Sequence, residues 1–311
     1  MKINLPTTKV ATTPNRIWNY FRDGVTQSFI SKFLTCKRQC YLEYVEGWTP
    51  IKTDPNLLFG TLLHGAIAAS LQAKKDITSS YISSDPLGKE LVNDPKTKDI
   101  FYTQVEILLQ VYWLNYANDF SQEWNQIEQP FRIAHNNTYL SGVIDGGYIT
   151  PEGKYWLMDT KGLSVITPDN LLATLPYDLQ VMFYLYAEYL SGRKPCGLVY
   201  NIVRKPQIKV EPLETYRSRL YAAIAKDIGH YFVRMPIQIT EGEVMQWYKE
   251  VLEPIMYEIE HWQINGYIPR YYNPTAILTR YHKLATTYPI ITHNDYSNFY
   301  QREAPFREIV E

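Results

Sequence analysis

The chain has 311 residues, enough to bury the core of one sizeable domain or of two small ones. Hydrophobic residues make up 45% and charged residues 20%, which is ordinary for a globular protein. The formal net charge of −1 excludes a global positive field that would attract nucleic acid, so any nucleic-acid site must be a local basic patch or rely on bound cations.

The cysteine content predicts the compartment. Three sparse cysteines, Cys36, Cys40 and Cys196, do not make a disulfide framework and favour a reducing environment. No secretory signal is recognisable, and no apolar run approaches the roughly 20 residues of a membrane span. We therefore expect a cytoplasmic protein without membrane contact, in which the cysteines are packing residues.

The first predicted elements are a polar arm and a helix. Residues 1–25 show no hydrophobic period, so we expect an arm with a short helix around residues 17–21. Ser28 precedes apolar residues at helical spacing and is a candidate N-cap. The helix that it begins is predicted to extend to Gly47, where the glycine would end it.

Two longer helices are predicted next. The first spans residues 57–73 and carries Gly60 and His64, which are four residues apart and therefore share a face. Residues 76–98 are polar and are interpreted as a connector. A long helix with several aromatic residues is predicted over 99–122.

Strands are predicted in the middle of the chain. Residues 126–134 contain Pro130, which indicates an edge strand or a bend. Residues 139–161 are predicted to form two strands joined by a turn, because Thr150–Gly153 has proline at i+1 and glycine at i+3 of a type I turn. Antiparallel pairing of these strands would bring Asp145 close to Asp159.

A loop over residues 162–175 is predicted to precede a helix over 176–191. Thr174 is the candidate cap of this helix, with Pro176 in its first turn. Gly192 would end it, and residues 197–205 read as a further strand.

Two helices around residues 212–233 and 240–264 are predicted after that strand, and the last 45 residues are irregular and rich in tyrosine. The order of elements predicts an α/β fold, with a small mixed central sheet flanked by helices and helical additions at both ends. We predict an arm over 1–27 and a single domain over 28–311, with core motifs in 57–205 and a helical part in 206–311.

Three ionisable residues of the predicted hairpin are candidates for catalysis. Asp145 ends an apolar strand, where a carboxylate is costly unless it is paired or bound to a metal; capping of a turn is the alternative. Asp159 and Lys161 are two residues apart and share a strand face. An Asp–Lys ion pair on the surface of a strand is the alternative for these two residues.

Two other positions add to this set. His64 is either a metal ligand beside carboxylates or an ordinary helix histidine. Gln180 and Tyr184, at i and i+4, share a helix face. They are interpreted as a phosphate or base contact, as a hydrogen bond that positions Lys161, or as a polar helix flank.

These motifs, in this order, resemble the PD-(D/E)XK nuclease superfamily in its RecB-type branch, which includes phage and CRISPR-associated exonucleases. The resemblance covers about residues 28–205. It rests on an opening helix over Ser28–Trp48, the G-x-x-x-H of Gly60–His64, the G-x-x-D of Gly142–Asp145, the (D/E)-x-K of Asp159–Lys161 and the Q-x-x-x-Y of Gln180–Tyr184.

The resemblance implies a restriction-endonuclease-like core and a metal-dependent DNA nuclease, specifically an exonuclease of recombination, repair or end processing. It implies one or two Mg²⁺ or Mn²⁺ ions, DNA as substrate, and recombination or replication proteins as partners in a prokaryotic or phage-infected cell. The implied catalytic residues are Asp145, Asp159 and Lys161. The implied metal ligands are His64, Asp145, Asp159 and the carbonyl of Thr160. The implied DNA contacts are Gln180, Tyr184, Arg204 and Lys205. A solvated strand end is the alternative for Arg204 and Lys205, and Glu128 is a weaker candidate for the site.

Many members of this branch hold an iron–sulfur cluster with one cysteine near the opening helix and three near the C-terminal end. Here Ile264–Pro269 resembles the segment that leads into the cluster, but no cysteine follows it, and only Cys36 lies where a ligand is expected. Because four thiolates are usually required, we predict that no cluster is bound.

Two further functions remain open from the sequence. One is a nuclease-fold subunit that acts mainly as a DNA- or protein-binding module. The other is an unrelated α/β protein with a surface Asp–Lys pair. The combination of His64, Asp145, Asp159 and Lys161 favours an active enzyme, because a binding module has no need of two clustered carboxylates.

Overall fold

The computed structural model describes residues 16–51, 54–207, 211–277, 287–306 and 309. Residue contacts divide the chain into two compact units. The smaller unit comprises residues 1–52, 134–140 and 255–311, and the larger unit comprises residues 53–133 and 141–254. The predicted boundaries, an arm over 1–27 and a single domain over 28–311, stay predictions.

The secondary-structure elements are as follows, in chain order. The helices are α1 (Tyr20–Asp23), α2 (Gln27–Thr35), α3 (Lys37–Cys40), α4 (Pro55–Ala73), α5 (Thr78–Ser83), α6 (Pro95–Asn115), α7 (Pro168–Thr174), α8 (Leu179–Leu190), α9 (Leu213–Lys226), α10 (Ile228–Tyr231), α11 (Glu241–Trp247), α12 (Glu253–Ile264), α13 (Pro274–Ile277) and α14 (Tyr288–His293). The strands are β1 (Val25–Thr26), β2 (Trp48–Pro50), β3 (Glu123–His135), β4 (Thr138–Ile149), β5 (Tyr155–Leu163), β6 (Gly197–Arg204), β7 (Phe232–Gln238) and β8 (Phe299–Gln301). Single π-helical segments lie at Tyr41–Val45 and Tyr248–Leu252, and 3₁₀ turns lie at Ala117–Ser121 and Leu175–Tyr177.

In the sheet of the larger unit the strands run in the order β4-β5-β6-β7, and β3 pairs with β4. Strands β4 and β5 are antiparallel, β5 and β6 are parallel, and β6 and β7 are antiparallel. A parallel pair needs a crossover connection, and α7 and α8 supply it between β5 and β6. The predicted α/β class, with a mixed central sheet flanked by helices, is confirmed.

One face of this sheet is covered by apolar side chains of α4, α6 and α9. Met158 of β5 and Val199 of β6 are register partners on that face, and both belong to the same buried cluster as Leu62 and Leu108. Asp159 and Lys161 lie at odd positions of β5, so they project from the opposite face. There α8 covers the sheet and brings Gln180 to Asp159. The apolar core therefore occupies one face of β5, and the opposite face carries the polar residues Asp159 and Lys161.

Several predicted boundaries in the larger unit are wrong. Helix α5 lies within the predicted connector over 76–98, and α6 begins at Pro95, where the Asp94 side chain accepts the N–H of Thr97. The predicted loop over 162–175 contains α7. Helix α8 is capped by Asp178, which accepts the N–H of Gln180 and Val181, and not by Thr174.

Strand β7 is the largest omission from the predicted elements. It follows α9 and α10, which occupy most of the predicted helix over 212–233. The segment begins in an aromatic run and contains Pro236, two features that obscure a strand pattern. It pairs with β6, and it forms the edge of the described sheet, a position that tolerates its proline.

In the smaller unit, α2 is capped by Thr26, whose hydroxyl oxygen accepts the N–H of Phe29 at 3.1 Å. The predicted cap Ser28 is therefore wrong. The predicted continuous helix to Gly47 is broken at Cys36, which has extended backbone angles. Gly47, with φ +79°, follows the π-helical segment and ends this part of the chain.

The C-terminal part of the smaller unit is more regular than predicted. It contains α13, α14 and β8, and β8 pairs antiparallel with β2 through Trp48–Pro50. Cys36 and Cys40 are buried as expected, but Cys196 of the larger unit is exposed and is not a packing residue. None of the helices among the described residues combines the length and the apolar character needed to cross a membrane.

Candidate metal centre

The hairpin of β4 and β5 brings two carboxylates to neighbouring positions. Its turn is closed by the N–H of Gly153, which donates to the carbonyl of Thr150 at 2.8 Å. The strand register runs from Ile149 opposite Tyr155 to Gly146 opposite Met158. Asp145 and Asp159 are the next residues along the two strands.

Asp145 lies just outside the regular pairing of β4 with β5, and its side chain accepts a hydrogen bond from the backbone of β5. Its Oδ2 atom accepts the N–H of Thr160 at 2.8 Å. A charged acceptor makes this bond stronger than a neutral one and holds one carboxylate oxygen at a defined place beside β5. The carboxylate of Asp145 is thereby fixed by the strand that carries Asp159 and Lys161.

The glycine of the G-x-x-D motif has a packing reason. A Cβ atom at Gly142 would lie 2.9 Å from the Phe131 ring and 3.3 Å from the Tyr184 ring. Glycine therefore lets both aromatic rings approach β4, and Tyr184 belongs to the helix that carries Gln180. This explains the glycine of the motif without assigning it a chemical role.

Asp159, Lys161 and Gln180 form a compact set of hydrogen bonds. The Lys161 ammonium donates to Asp159 Oδ1 at 3.0 Å and to Gln180 Oε1 at 3.0 Å. Gln180 Nε2 in turn donates to Asp159 Oδ1 at 3.1 Å and to the Tyr184 hydroxyl at 3.2 Å. The hydrogen bond between Lys161 and Gln180 that one of the three interpretations of Gln180 requires is present, and the phosphate or base contact stays a prediction.

His64 from α4 lies on the other side of Asp145. Its Nδ1 atom is 3.3 Å from Asp145 Oδ2 and 3.4 Å from Glu128 Oε1. One nitrogen or oxygen atom from each of these three residues lies within 4.8 Å of the others, the separation expected of ligands around one ion. Helix α4 and the consecutive strands β3 and β4 therefore each contribute one residue to a single point.

Glu128 has an unusual backbone within β3. Its φ is +45°, a left-handed value that only glycine adopts readily. Such a conformation costs about 1–3 kcal/mol and concentrates at functional sites, where neighbouring structure maintains it. The carboxylate of this residue lies 3.4 Å from His64 Nδ1, and this contact is the observation that makes Glu128 a candidate site residue.

Burial of the aspartates raises their pKa values. Desolvation raises the pKa of Asp159 to about 6, opposed by the adjacent Lys161 ammonium. Burial also raises the pKa of Asp145, against the effect of His64. Both shifts show that negative charge is held here at a cost in free energy, which a bound cation would reduce.

The basic groups of the site respond to the same carboxylates. Burial lowers the pKa of His64, but Asp145 and Glu128 more than reverse this effect and raise it to about 9. Burial likewise opposes the charge of Lys161, but Asp159 and Asp145 raise its pKa above the usual value. The neighbouring carboxylates thus favour the charged form of Lys161.

The donor set fits a divalent cation. Carboxylate oxygens are the ligands that Mg²⁺ and Mn²⁺ prefer, and an added imidazole is compatible with Mn²⁺. His64, Glu128 and Asp145 supply such a set, with Asp159 beside them. About a quarter of the His64 side chain and a third of the Glu128 side chain are exposed, so a substrate phosphate can approach from their side.

Arg204 and Lys205 have protein partners in the structure. Arg204 donates to the carbonyls of His230 at 2.8 Å and Ser164 at 3.2 Å. The Lys205 ammonium lies 4.8 Å from the ring centroid of Phe59 and 4.9 Å from that of Phe101. The role of all four predicted DNA contacts, Gln180, Tyr184, Arg204 and Lys205, stays a prediction.

Two features of the site were missed from the sequence. Asp178 caps α8 through the N–H of Gln180 at 2.8 Å and so orients the glutamine, and an Asp just before an apolar helical run is a readable cap signal. The bond from the Thr160 N–H to Asp145 has no local signal, because it joins two strands beyond their regular pairing.

Cys36 has a hydrogen-bonded role in the smaller unit. Its Sγ atom accepts the N–H of Asn273 at 3.3 Å, and the Asn273 side chain donates to the carbonyl of Thr35 at 3.0 Å. Hydrogen bonds thus join Asn273 to the end of α2 and to Cys36. The prediction that no iron–sulfur cluster is bound stays a prediction.

Comparison with known proteins agrees with this geometry. A search of curated proteins found no match. The family model of the PD-(D/E)XK nuclease superfamily matches residues 25–264, more than three quarters of the chain. That span includes the helix with His64, the hairpin with both aspartates and Lys161, and the helix with Gln180. The chain belongs to the PD-(D/E)XK nuclease superfamily.

Proposed function

We propose that the chain is a Mg²⁺- or Mn²⁺-dependent deoxyribonuclease of the RecB-type branch, and that it acts as an exonuclease. The observation that carries the proposal is the convergence of His64, Glu128 and Asp145 beside the hydrogen-bonded set of Asp159, Lys161 and Gln180. Phosphodiester hydrolysis needs an activated water, stabilisation of added negative charge and help for the leaving oxygen. This arrangement offers a place for each requirement.

His64, Glu128, Asp145 and Asp159 would hold the ion or ions, with the carbonyl of Thr160 as a further ligand. A bound divalent cation supplies an activated water and stabilises charge on the phosphate oxygens. Glu128 joins the ligand set because its carboxylate lies 3.4 Å from the same imidazole nitrogen that approaches Asp145 at 3.3 Å.

Lys161 acts as a fixed positive charge and hydrogen-bond donor. Its ammonium orients the attacking water or neutralises charge on the phosphate, and Asp159 and Asp145 favour its charged form by raising its pKa. Gln180 holds the ammonium 3.0 Å from its amide oxygen, and the Asp178 cap holds the backbone of Gln180. Preorganisation of this kind avoids reorganisation during the reaction.

The biological setting follows from the motif series. The ordered motifs from Ser28 to Tyr184 support the RecB-type branch, whose members process DNA ends. We therefore propose DNA ends as substrate, a role in recombination, repair or end processing, and recombination or replication proteins as partners in the cytoplasm of a prokaryotic or phage-infected cell.

The test uses four substrates: linear end-labelled and closed circular DNA, each single- and double-stranded. Each is incubated with Mg²⁺, Mn²⁺ or chelator, and products are resolved by length. An exonuclease releases mononucleotides or short fragments from linear DNA and leaves the circles intact. Cleavage of circles identifies an endonuclease, and retention of DNA without cleavage identifies a binding module.

A matched pair of variants makes this test specific. Asp159→Asn removes a site carboxylate charge, whereas Asp99→Asn removes the charge of an exposed residue on α6. Cleavage that survives in Asp159→Asn, or in chelator, contradicts the proposed function.

A further inference from the structure

A row of three polar side chains crosses the sheet on the face opposite Asp159 and Lys161. The strand register places Thr160 of β5 beside Asn201 of β6, and Asn201 beside Arg234 of β7. Because side chains alternate along a strand, Thr160 points away from the face that carries Asp159 and Lys161. We call Thr160, Asn201 and Arg234 the cross-sheet row.

The cross-sheet row is joined by hydrogen bonds in a dry environment. Asn201 Nδ2 donates to Thr160 Oγ1 at 3.2 Å, and Arg234 Nε donates to Asn201 Oδ1 at 3.1 Å. Asn201 is 0% exposed and Thr160 is 2% exposed. Each bond therefore lies where an unpaired partner would be costly.

Helix α6 and the turn after it anchor the row. The Tyr112 hydroxyl accepts from Asn201 Nδ2 at 3.0 Å and from Arg234 Nη2 at 2.6 Å. Arg234 also pairs with Asp119, with Nη1 at 2.9 Å from Oδ1. Buried ion pairs add little net stability compared with apolar side chains of similar volume, so stability alone does not explain this network.

The row ends at the peptide that holds a site carboxylate. The Thr160 side chain is bound on the far face, and the Thr160 N–H donates to Asp145 Oδ2 at 2.8 Å on the site side. Asp145 Oδ2 is also the atom that approaches His64 Nδ1 at 3.3 Å. Movement of the Thr160 peptide would therefore move one member of the metal-ligand set.

We propose that the cross-sheet row positions the Thr160 peptide and, through its N–H, the Asp145 carboxylate for metal binding. Asn201 and Arg234 are positioning residues that act through Thr160, and the Thr160 peptide acts through the Asp145 carboxylate as well as through its own carbonyl, which the proposed function counts as a ligand. The inference rests on the proposed metal-dependent function and deepens it. It predicts that loss of a hydrogen bond in the cross-sheet row weakens metal binding by more than the accompanying loss of folding stability would explain.

The test compares Thr160→Val with Thr160→Ser. Valine keeps the shape of threonine but removes the hydroxyl that accepts from Asn201, whereas serine keeps the hydroxyl. Mg²⁺ is titrated into each purified protein, and the half-saturating concentration is read from the thermal shift and from calorimetry. Residues that orient metal ligands typically contribute 10–100-fold to metal affinity, so we expect about a tenfold rise for valine and recovery for serine.

Tyr155→Phe is the matched control. Its hydroxyl donates to the buried Glu188 at 2.8 Å, so phenylalanine removes a buried hydrogen bond on the same strand without touching the row. This variant should melt at a lower temperature and titrate with Mg²⁺ like the wild type. If the thermal shift reported folding stability alone, the apparent Mg²⁺ affinities of Thr160→Val and Tyr155→Phe would change alike.

The outcomes separate the inference from the proposed function. If the wild type binds Mg²⁺ and Thr160→Val titrates within twofold of it, the inference is overturned and the nuclease proposal stands. If the wild type neither binds Mg²⁺ nor cleaves DNA with it, both are overturned. If Thr160→Val does not fold, Asp119→Asn is tested instead, because it removes the charge that pairs with Arg234 and keeps the shape of the side chain. Unchanged Mg²⁺ affinity in Asp119→Asn then overturns the inference.

Discussion

Two of the buried carboxylate clusters described in the larger unit differ in how their charge is balanced: the cluster around Glu188 and the candidate metal centre. In the first, Glu188 of α8 is fully buried and accepts hydrogen bonds from Arg193 Nε at 2.5 Å, Arg193 Nη2 at 2.7 Å and the Tyr155 hydroxyl at 2.8 Å. One carboxylate thus meets a bidentate guanidinium and a hydroxyl. Such a cluster is self-sufficient, and no ion is needed to complete it.

The metal centre is not balanced in this way. Three carboxylates, from Glu128, Asp145 and Asp159, face one lysine and one histidine. Burial raises the pKa of both aspartates, and the surplus of negative charge raises the pKa of His64 to about 9. The contrast indicates that protein groups neutralise the Glu188 carboxylate, whereas the candidate metal centre carries a surplus of carboxylates, which suits a divalent cation.

The largest expected effect separates the two clusters directly. Asp145→Asn and Asp159→Asn should each lower the cleavage rate by on the order of 10³-fold, because several kcal/mol of charge stabilisation depends on the bound cation. Glu188→Gln should keep its rate per folded molecule but lose about 1–3 kcal/mol of folding stability. Single-turnover cleavage and chemical denaturation measure the two quantities. A Glu188→Gln variant that lost activity but kept its full folding stability would contradict the distinction between the two clusters.

Removal of the lysine should have the next largest effect. Lys161→Met keeps the length of the side chain but removes the charge, and it should lower the rate by about 10²-fold, as expected for loss of one electrostatic contact to the transition state. Lys154→Met, at the exposed turn of the same hairpin, is the matched control and should cleave normally. Full metal-dependent activity in Lys161→Met would refute its catalytic role.

Loss of the histidine should produce a smaller and metal-dependent change. Mg²⁺ demands near-ideal octahedral geometry, so His64→Ala should reduce activity about tenfold more in Mg²⁺ than in Mn²⁺. If Glu128 is also a ligand, Glu128→Gln should likewise reduce activity more in Mg²⁺ than in Mn²⁺. His261→Ala, an exposed histidine of α12, is the control. An unchanged metal titration in His64→Ala would reject it as a ligand.

The smallest expected effect is a pH dependence of stability. The pKa values of Asp159 (about 6) and His64 (about 9) are higher in the folded, metal-free protein than in the unfolded chain. Protonation of these groups therefore favours the folded state, and this stabilisation is lost as the pH rises through each value. Because a metal needs unprotonated ligands, Mg²⁺ should raise the melting temperature more at about pH 8.5 than at about pH 6. Equal shifts at both pH values would argue against His64 as a ligand.

Local sequence patterns were sufficient for the hairpin and for the faces of its residues. The Thr150–Gly153 turn, the apolar run before Asp145 and the spacing of Asp159 and Lys161 each depend on neighbours within a few residues. The same holds for Gln180 and Tyr184 on α8. Caps were less readable, since Ser28 and Thr174 were chosen over Thr26 and Asp178, all of them residue types that favour caps.

Strand β7 was missed for a different reason. Its residues have a weak alternation, and its stability comes from pairing with β6 along the full length of Phe232–Val203 to Gln238–Gly197. A strand of this kind is defined by its partner, and strand preference depends strongly on such context. Arg234 could accordingly be assigned to the cross-sheet row only once the sheet was known.

The sequence by itself determined the order of the motifs, the residue types that suit a divalent cation, and the α/β class that carries them. Tertiary structure decided that Glu128 belongs with His64 and Asp145, that Gln180 binds Lys161 and Asp159, and that Thr160 joins Asp145 to the cross-sheet row. The physical reason is that turns and face alternation are local, whereas the convergence of α4, β3, β4 and α8 depends on how a buried core packs helices onto the sheet.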